Sequence, residues 1–136
     1  MVILDTNVLS EVLRQAPDGG VMAWLKDQPR PSVFTTTVTR GEILYGIRVL
    51  ADGKRRRLLW DAALAIFNED FAERVLSFDS DAADAYAEVG ASRRAAGRPI
   101  SQFDAMIAAM ARSRGATFAT RTSMIVEVDV VNPWAP

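Results

Sequence analysis

The chain has 136 residues, 49% of them hydrophobic and 24% charged, and its 16 basic and 17 acidic side chains leave a formal net charge of −1. That length and balance exclude a disordered or fibrous chain and suit one domain, 1–136, with its own core. With neither Cys nor His, the chain has no disulfide framework, no thiol or imidazole nucleophile pair and no Cys/His zinc site, so carboxylates remain for acid, base or metal chemistry.

Residues 2–4 are apolar and stop at Asp5, which Thr6 and Asn7 follow, so a strand is expected to hand over to a helix there. Val8, Leu9, Val12 and Leu13 recur at helical spacing up to the Pro17-Asp18-Gly19-Gly20 turn, and 21–25 reads as a second helix ended by Pro29 and Pro31. The β-branched run 33–37 predicts a strand. Thr39 is expected to open a helix through Ile43, Leu44, Ile47 and Leu50, with 55–68 as its hairpin partner. Residues 74–78 predict a third strand, and Asp79-Ser80-Asp81 a capping cluster for an alanine-rich helix that runs to Ala96 and ends at Gly97. A helix over 101–114, closed by Gly115, leads to two last strands over 117–120 and 126–131, stopped by Asn132-Pro133. Such alternation predicts an α/β architecture, a central, mostly parallel sheet of about five short strands with helices on both faces. In such sheets ligands bind beyond the carboxyl ends of the strands.

Three acids stand at handovers into helices: Asp5, Glu42 in Thr-Arg-Gly-Glu and Asp104 in Ser-Gln-Phe-Asp. Each has a local explanation. Thr39 and Glu42 match a capping box, Ser101 and Asp104 nearly repeat it, and Asp5 suits the cap of the helix near Thr6. Capping does not explain why Thr6, Asn7 and Ser10 crowd behind Asp5 at one strand end. Were the three acids to meet, they would form an oxygen-rich pocket suited to Mg²⁺ or Mn²⁺, the chemistry of a metal-dependent phosphodiesterase. A carboxylate in a helix's first turn also stays ionised more easily, so capping and ligation are compatible roles.

Competing chemistries fit less well. A sugar hydrolase with paired acids calls for an aromatic-rich cleft, and aromatics make up only 8% of the chain. A phosphoaspartyl enzyme calls for an acid two residues beyond Asp5, where Asn7 stands, and neither a phosphate-loop nor a dinucleotide glycine motif occurs.

At a net charge of −1 any contact with nucleic acid must be local. Three clusters qualify: residues 54–57, four consecutive cations; Arg93, Arg94 and Arg98; and Arg112, Arg114 and Arg121. All cations but Lys26 and Lys54 are Arg, whose planar fork suits phosphate, although charge runs are more often solvated helix faces. The chain opens without a basic leader, its apolar runs fall well short of the ~20 residues that cross a bilayer, and cytoplasm is the expected location.

Four segments carry a resemblance: 2–11 (Val-Ile-Leu-Asp-Thr-Asn-Val-Leu-Ser-Glu), 39–47 (Thr-Arg-Gly-Glu-Ile-Leu-Tyr-Gly-Ile), 96–109 (Ala-Gly-Arg-Pro-Ile-Ser-Gln-Phe-Asp-Ala-Met-Ile-Ala-Ala), and 119–121 with 131–134 (Ala-Thr-Arg and Val-Asn-Pro-Trp). In this order and spacing they resemble the PIN-domain ribonucleases, specifically the VapC toxins of type II toxin–antitoxin systems and their FitB-like branch. The resemblance implies a PIN-like fold and an Mg²⁺- or Mn²⁺-dependent endoribonuclease, with Asp5, Glu42 and Asp104 as metal-binding catalytic acids. Thr6, Asn7 and Thr120 match polar positions around that pocket; separately, an Arg near it, Arg121, is expected to position the RNA backbone without reading bases. The resemblance also implies a homodimer, neutralised by a cognate antitoxin that covers the site and carries a DNA-binding domain. One departure stands out. The branch usually places a fourth acid a few residues after Thr-Arg, where this chain reads Thr122-Ser123, and neither Glu127 nor Asp129 is well placed to substitute. A weaker second metal site follows, or a catalytically weak module acting mainly through its antitoxin and DNA-bound repression.

Overall fold

The computed structural model describes residues 1–121 and 128–135. Five strands, β1 (Val2–Leu4), β2 (Val33–Thr36), β3 (Val75–Leu76), β4 (Thr117–Ala119) and β5 (Asp129–Val131), form one sheet in the order β3-β2-β1-β4-β5. Every pairing is parallel, with Ile3 beside Phe34 on one flank and beside Phe118 on the other. Parallel neighbours need crossovers, and the helices supply them: α1 (Thr6–Val12), α2 (Gly19–Asp27), α3 (Thr37–Arg48), α4 (Lys54–Ala65), α5 (Ser80–Ala95) and α6 (Gln102–Ser113). From β1 the chain builds outward through β2 and β3, then crosses back to β4 and β5. The order therefore reverses between β1 and β4, and this is the switch point where such sheets open a crevice.

Strand periodicity divides the core in two. Leu4, Val33 and Ala119 pack with α1 to α4 around Val8, Leu9, Val21, Ile43, Ile47 and Phe67. Ile3 and Phe118, their neighbours in sequence, point the other way onto Val89 of α5 and Ile107, Ala108 and Ala111 of α6. Sheet residues buried on both sides explain why β1 and β4 read as continuous apolar runs. The expected helices on both faces are present.

Some boundaries differ from the sequence expectation. Thr37 is not the end of a strand but the first residue of α3, and the cap is Thr36 rather than Thr39: Thr36 Oγ1 accepts the Thr39 amide at 3.0 Å. Three consecutive threonines make each a candidate cap, and packing of β2 selects the residue that stays extended, with φ −134° and ψ 160°. The helix expected over 55–68 ends as an α-helix at Ala65 and widens into a π turn over Ile66–Asp70, with the Phe71 amide bonded to the Ile66 carbonyl. The strand expected over 74–78 shrinks to β3, because only Thr35 and Thr36 of β2 offer it pairing. Of the strand expected over 126–131, Val126 and Glu127 lie outside the described residues, as do Thr122 and Ser123. Asp129 is exposed at the start of β5.

Candidate active site

Asp5 and Thr120 follow β1 and β4 directly, so the switch point sets them side by side. The Asp5 amide donates to the Ala119 carbonyl at 2.9 Å, which carries the pairing one residue past the strands. The Asp5 carboxylate is fully buried: Oδ1 accepts the Thr6 amide at 2.8 Å, as a helix cap, and Oδ2 accepts the Thr120 hydroxyl at 2.6 Å. Both the capping role and the convergence of polar groups expected around Asp5 are realised in one side chain.

Glu42 enters from α3. Because α3 starts at Thr37, this acid sits beyond the first turn, and its Oε1 accepts the Thr6 hydroxyl at 2.7 Å instead of reaching back to Thr39. Thr6 Oγ1 also lies 3.0 Å from Thr39 Oγ1, so the hydroxyl expected to cap α3 is part of the site's scaffold instead. Asp104 lies in the first turn of α6, whose cap is Ser101, with its hydroxyl accepting the Asp104 amide at 3.1 Å.

Electrostatics tie the three together. Burial raises the Asp5 carboxyl from 3.8 to about 7, with the charges of Asp104 and Glu42 pushing the same way and the Thr120 hydroxyl and Thr6 amide opposing. Glu42 is raised as well, by burial first and then by Asp104, while the Thr6 hydroxyl opposes. Desolvation therefore outweighs the helix dipole at these two acids. Only Asp104 occupies a first turn of α3 or α6.

Glu42 and Asp104 line one cleft of about 470 Å³ together with Thr6, Asn7 and Arg121, and Asp5 lies buried immediately before Thr6. Among the described residues no group of three or more acidic side chains is arranged to hold a metal ion as it stands. Like charges oppose closer approach, and Thr6 and Thr120 hold two of the carboxylates by hydrogen bonds. The donor set nonetheless fits a hard divalent cation, since every donor is oxygen. Asn7 strengthens the fit. Its Nδ2 donates to Thr120 Oγ1 at 3.3 Å, and its Oδ1 is buried with no hydrogen-bond partner among the described residues.

Four further residues share this cleft: Ser10, Glu11, Arg14 and Trp134. Glu11 is buried, accepts the Asp18 amide at 3.1 Å and pairs with Arg14 at 3.4 Å, so it fastens the turn between α1 and α2. Trp134 arrives through the turn after β5, where Asn132 Oδ1 accepts its amide at 2.9 Å, and Arg121 stacks its guanidinium 3.9 Å from the indole centre. The Asn-Pro pair directly after a strand was the sequence signal for Trp134; Glu11 gave none beyond its helical spacing from Asn7.

Fold and cleft define an α/β protein with an acidic pocket at the switch point of a parallel sheet. The PIN domain family model matches residues 2–130, and the chain belongs to that family. It is 40% identical over 137 residues to the plasmid stability protein StbB of Pseudomonas syringae pv. tomato, covering 98% of this chain and 99% of that one. It is 35% identical over 139 residues to the VapC ribonuclease Y4jK of Sinorhizobium fredii, covering 100% of this chain and 99% of the relative. Among solved structures, FitAB bound to the IR36 DNA fragment superposes with a TM-score of 0.91 at 34% identity, over 100% of this chain and 97% of that chain. The PIN-like architecture and the resemblance to the VapC and FitB proteins read from sequence are thereby borne out. Among the described residues, no helix is long and apolar enough to cross a membrane.

Proposed function

We propose that the chain, acting as a single domain over 1–136, is a divalent-metal-dependent endoribonuclease, the toxin of a type II toxin–antitoxin pair. One observation carries this reading: a fully buried carboxylate, Asp5, stands at the switch point, where burial first, and then the charges of Asp104 from α6 and Glu42 from α3, raise its proton affinity. Evolving such mutual repulsion into a core position makes sense where a cation neutralises it. Asp5, Glu42 and Asp104 would hold Mg²⁺ or Mn²⁺, with Asn7 Oδ1 as a further oxygen within the same polar cluster. Bound there, the ion supplies Lewis acidity toward a phosphodiester oxygen and toward a water. The Thr120 hydroxyl and Thr6 amide orient the Asp5 oxygens, the Thr6 hydroxyl orients Glu42, and Arg121, held flat by Trp134, secures the phosphate backbone without reading bases.

The same reading takes an antitoxin with a DNA-binding domain, a homodimer and the cytoplasm as the working context. The ribonuclease name of one relative, the name Toxin FitB of another and the DNA-bound FitAB structure support it. Asp5→Asn should abolish Mg²⁺-dependent RNA cleavage while the circular-dichroism spectrum stays native; undiminished cleavage refutes the assignment. A second reading is a catalytically weak PIN module that works mainly through its antitoxin and repression on DNA. It is favoured by the lack, among the described residues, of three acids already arranged around a metal position. Tight Mn²⁺ binding with RNA turnover supports the enzyme, and antitoxin binding without turnover supports the module.

A further inference from the structure

The acidic cleft does not end at Glu42. A second cleft, about 1210 Å³, shares Thr6, Ser10, Arg14 and Glu42 with it and extends between α1, α3 and α4. Together they form one continuous trough. Pockets for drug-sized molecules span ~300–1,000 Å³, so the extension alone is large for a small ligand.

The four-cation run at the start of α4 divides on this trough. Arg56 and Arg57 turn to Asp52, at 3.6 and 4.0 Å, and Arg56 also donates to the Leu50 carbonyl at 3.4 Å. Lys54 and Arg55 line the trough, are exposed, and make no ion pair among the described residues. Arg14, paired with Glu11 after α1, also lines the extension, and Glu42, at the junction, is the only acid among the described residues lining it. Its floor is apolar, with Leu58 exposed at 59%. Cations along a groove above apolar surface suit a single strand, whose phosphates meet charge while its bases lie on carbon.

We propose that this extension is the track for the RNA strand leaving the acidic cleft, and that Lys54 and Arg55 grip phosphates on one side of the bond to be cut. Arg121, stacked on Trp134, lines the acidic cleft and not the extension. The strand thus crosses the carboxylates between two cationic anchors, which prevents the acids from repelling it. The substrate class is single-stranded RNA, and Lys54 and Arg55 are positioning residues. This inference rests on the nuclease reading, and its test measures binding rather than cleavage so that the two can fail separately.

Fluorescence anisotropy of a labelled oligouridine of about 12 nucleotides, in chelator to prevent cleavage, compares the native chain with K54A/R55A and with the charge-matched control R56A/R57A. K54A/R55A should weaken binding about tenfold and flatten the log–log salt slope by ~1.4, at ~0.7 per lost phosphate contact. R56A/R57A should shift affinity less than about twofold, because those cations face Asp52. Equal losses in both variants, no loss in K54A/R55A, or equally tight binding of an RNA duplex would each overturn the proposal. If the Lys54-dependent binding holds while the native chain never cleaves RNA with Mn²⁺, the track stands and the nuclease reading falls.

Discussion

Asp5 makes a sharp thermodynamic prediction for the metal-free chain. In the unfolded chain its carboxyl titrates near 3.8, and in the folded chain at about 7. Below pH 3.8 both states carry the proton and the carboxyl costs nothing. Between about 4 and 7 the unfolded chain has released its proton and the folded chain has not, so stability falls as pH rises, and above about 7 the full penalty is in place. A rise of about 3 pH units at ~1.4 kcal/mol each amounts to roughly 4 kcal/mol. Asp5→Asn removes that charge penalty. It also removes one acceptor from the Thr120 hydroxyl, a hydrogen bond of 2.6 Å worth roughly 1.5–3 kcal/mol. The net gain at pH 8 is therefore about 1–2.5 kcal/mol, and at pH 4 the substitution is destabilising. Urea denaturation in chelator at pH 4, 6 and 8 measures both curves, read from midpoints at constant slope. Added Mn²⁺ should reverse the ranking at pH 8 by stabilising only the native chain. A native chain equally stable from pH 4 to 8, or an Asn variant less stable at pH 8 than at pH 4 relative to it, refutes the argument that burial and repulsion strain this site.

Two other perturbations test the scaffold. Thr120→Val deletes the hydroxyl that opposes the rise at Asp5, so the carboxyl should titrate above about 7, and Mn²⁺ affinity at pH 7 should drop about tenfold; carboxyl carbon chemical shifts followed against pH, with calorimetric Mn²⁺ titration, read both effects. Phe118→Ala empties the fully buried centre of the layer between β4 and α6 and should cost about 3–5 kcal/mol in urea denaturation, with an affinity for Mn²⁺ in the surviving folded fraction within about twofold of native.

The alternation of strand and helix was legible because each element carries its own signal: an apolar run ending at Asp5, helical spacing in 8–13, glycines at 97 and 115 that take φ +67° and +62°. Asp104 was legible in the same way, as its capping residue is Ser101 in both the pattern and the fold. Glu42 shows the limit. Thr-Arg-Gly-Glu satisfies a capping box, yet the box is unused, because Thr36 already satisfies the Thr39 amide and Glu42 finds the Thr6 hydroxyl from another helix. A local pattern states which bonds are possible, and the competition among partners is decided by what packing brings near.

Residue types and their order along the chain were enough to determine an α/β architecture, the reliance on oxygen ligands that follows from having neither Cys nor His, and the three acids worth following. Tertiary structure alone decided that the sheet reverses between β1 and β4, which sets Thr120 against Asp5 across 115 residues and brings α3 and α6 to the same opening. It also decided which of four adjacent cations face the trough and which face Asp52. The reason is physical: hydrophobic periodicity is a property of a few neighbouring residues, whereas burial, mutual repulsion and hydrogen bonding between distant groups depend on positions that exist only once the core has closed.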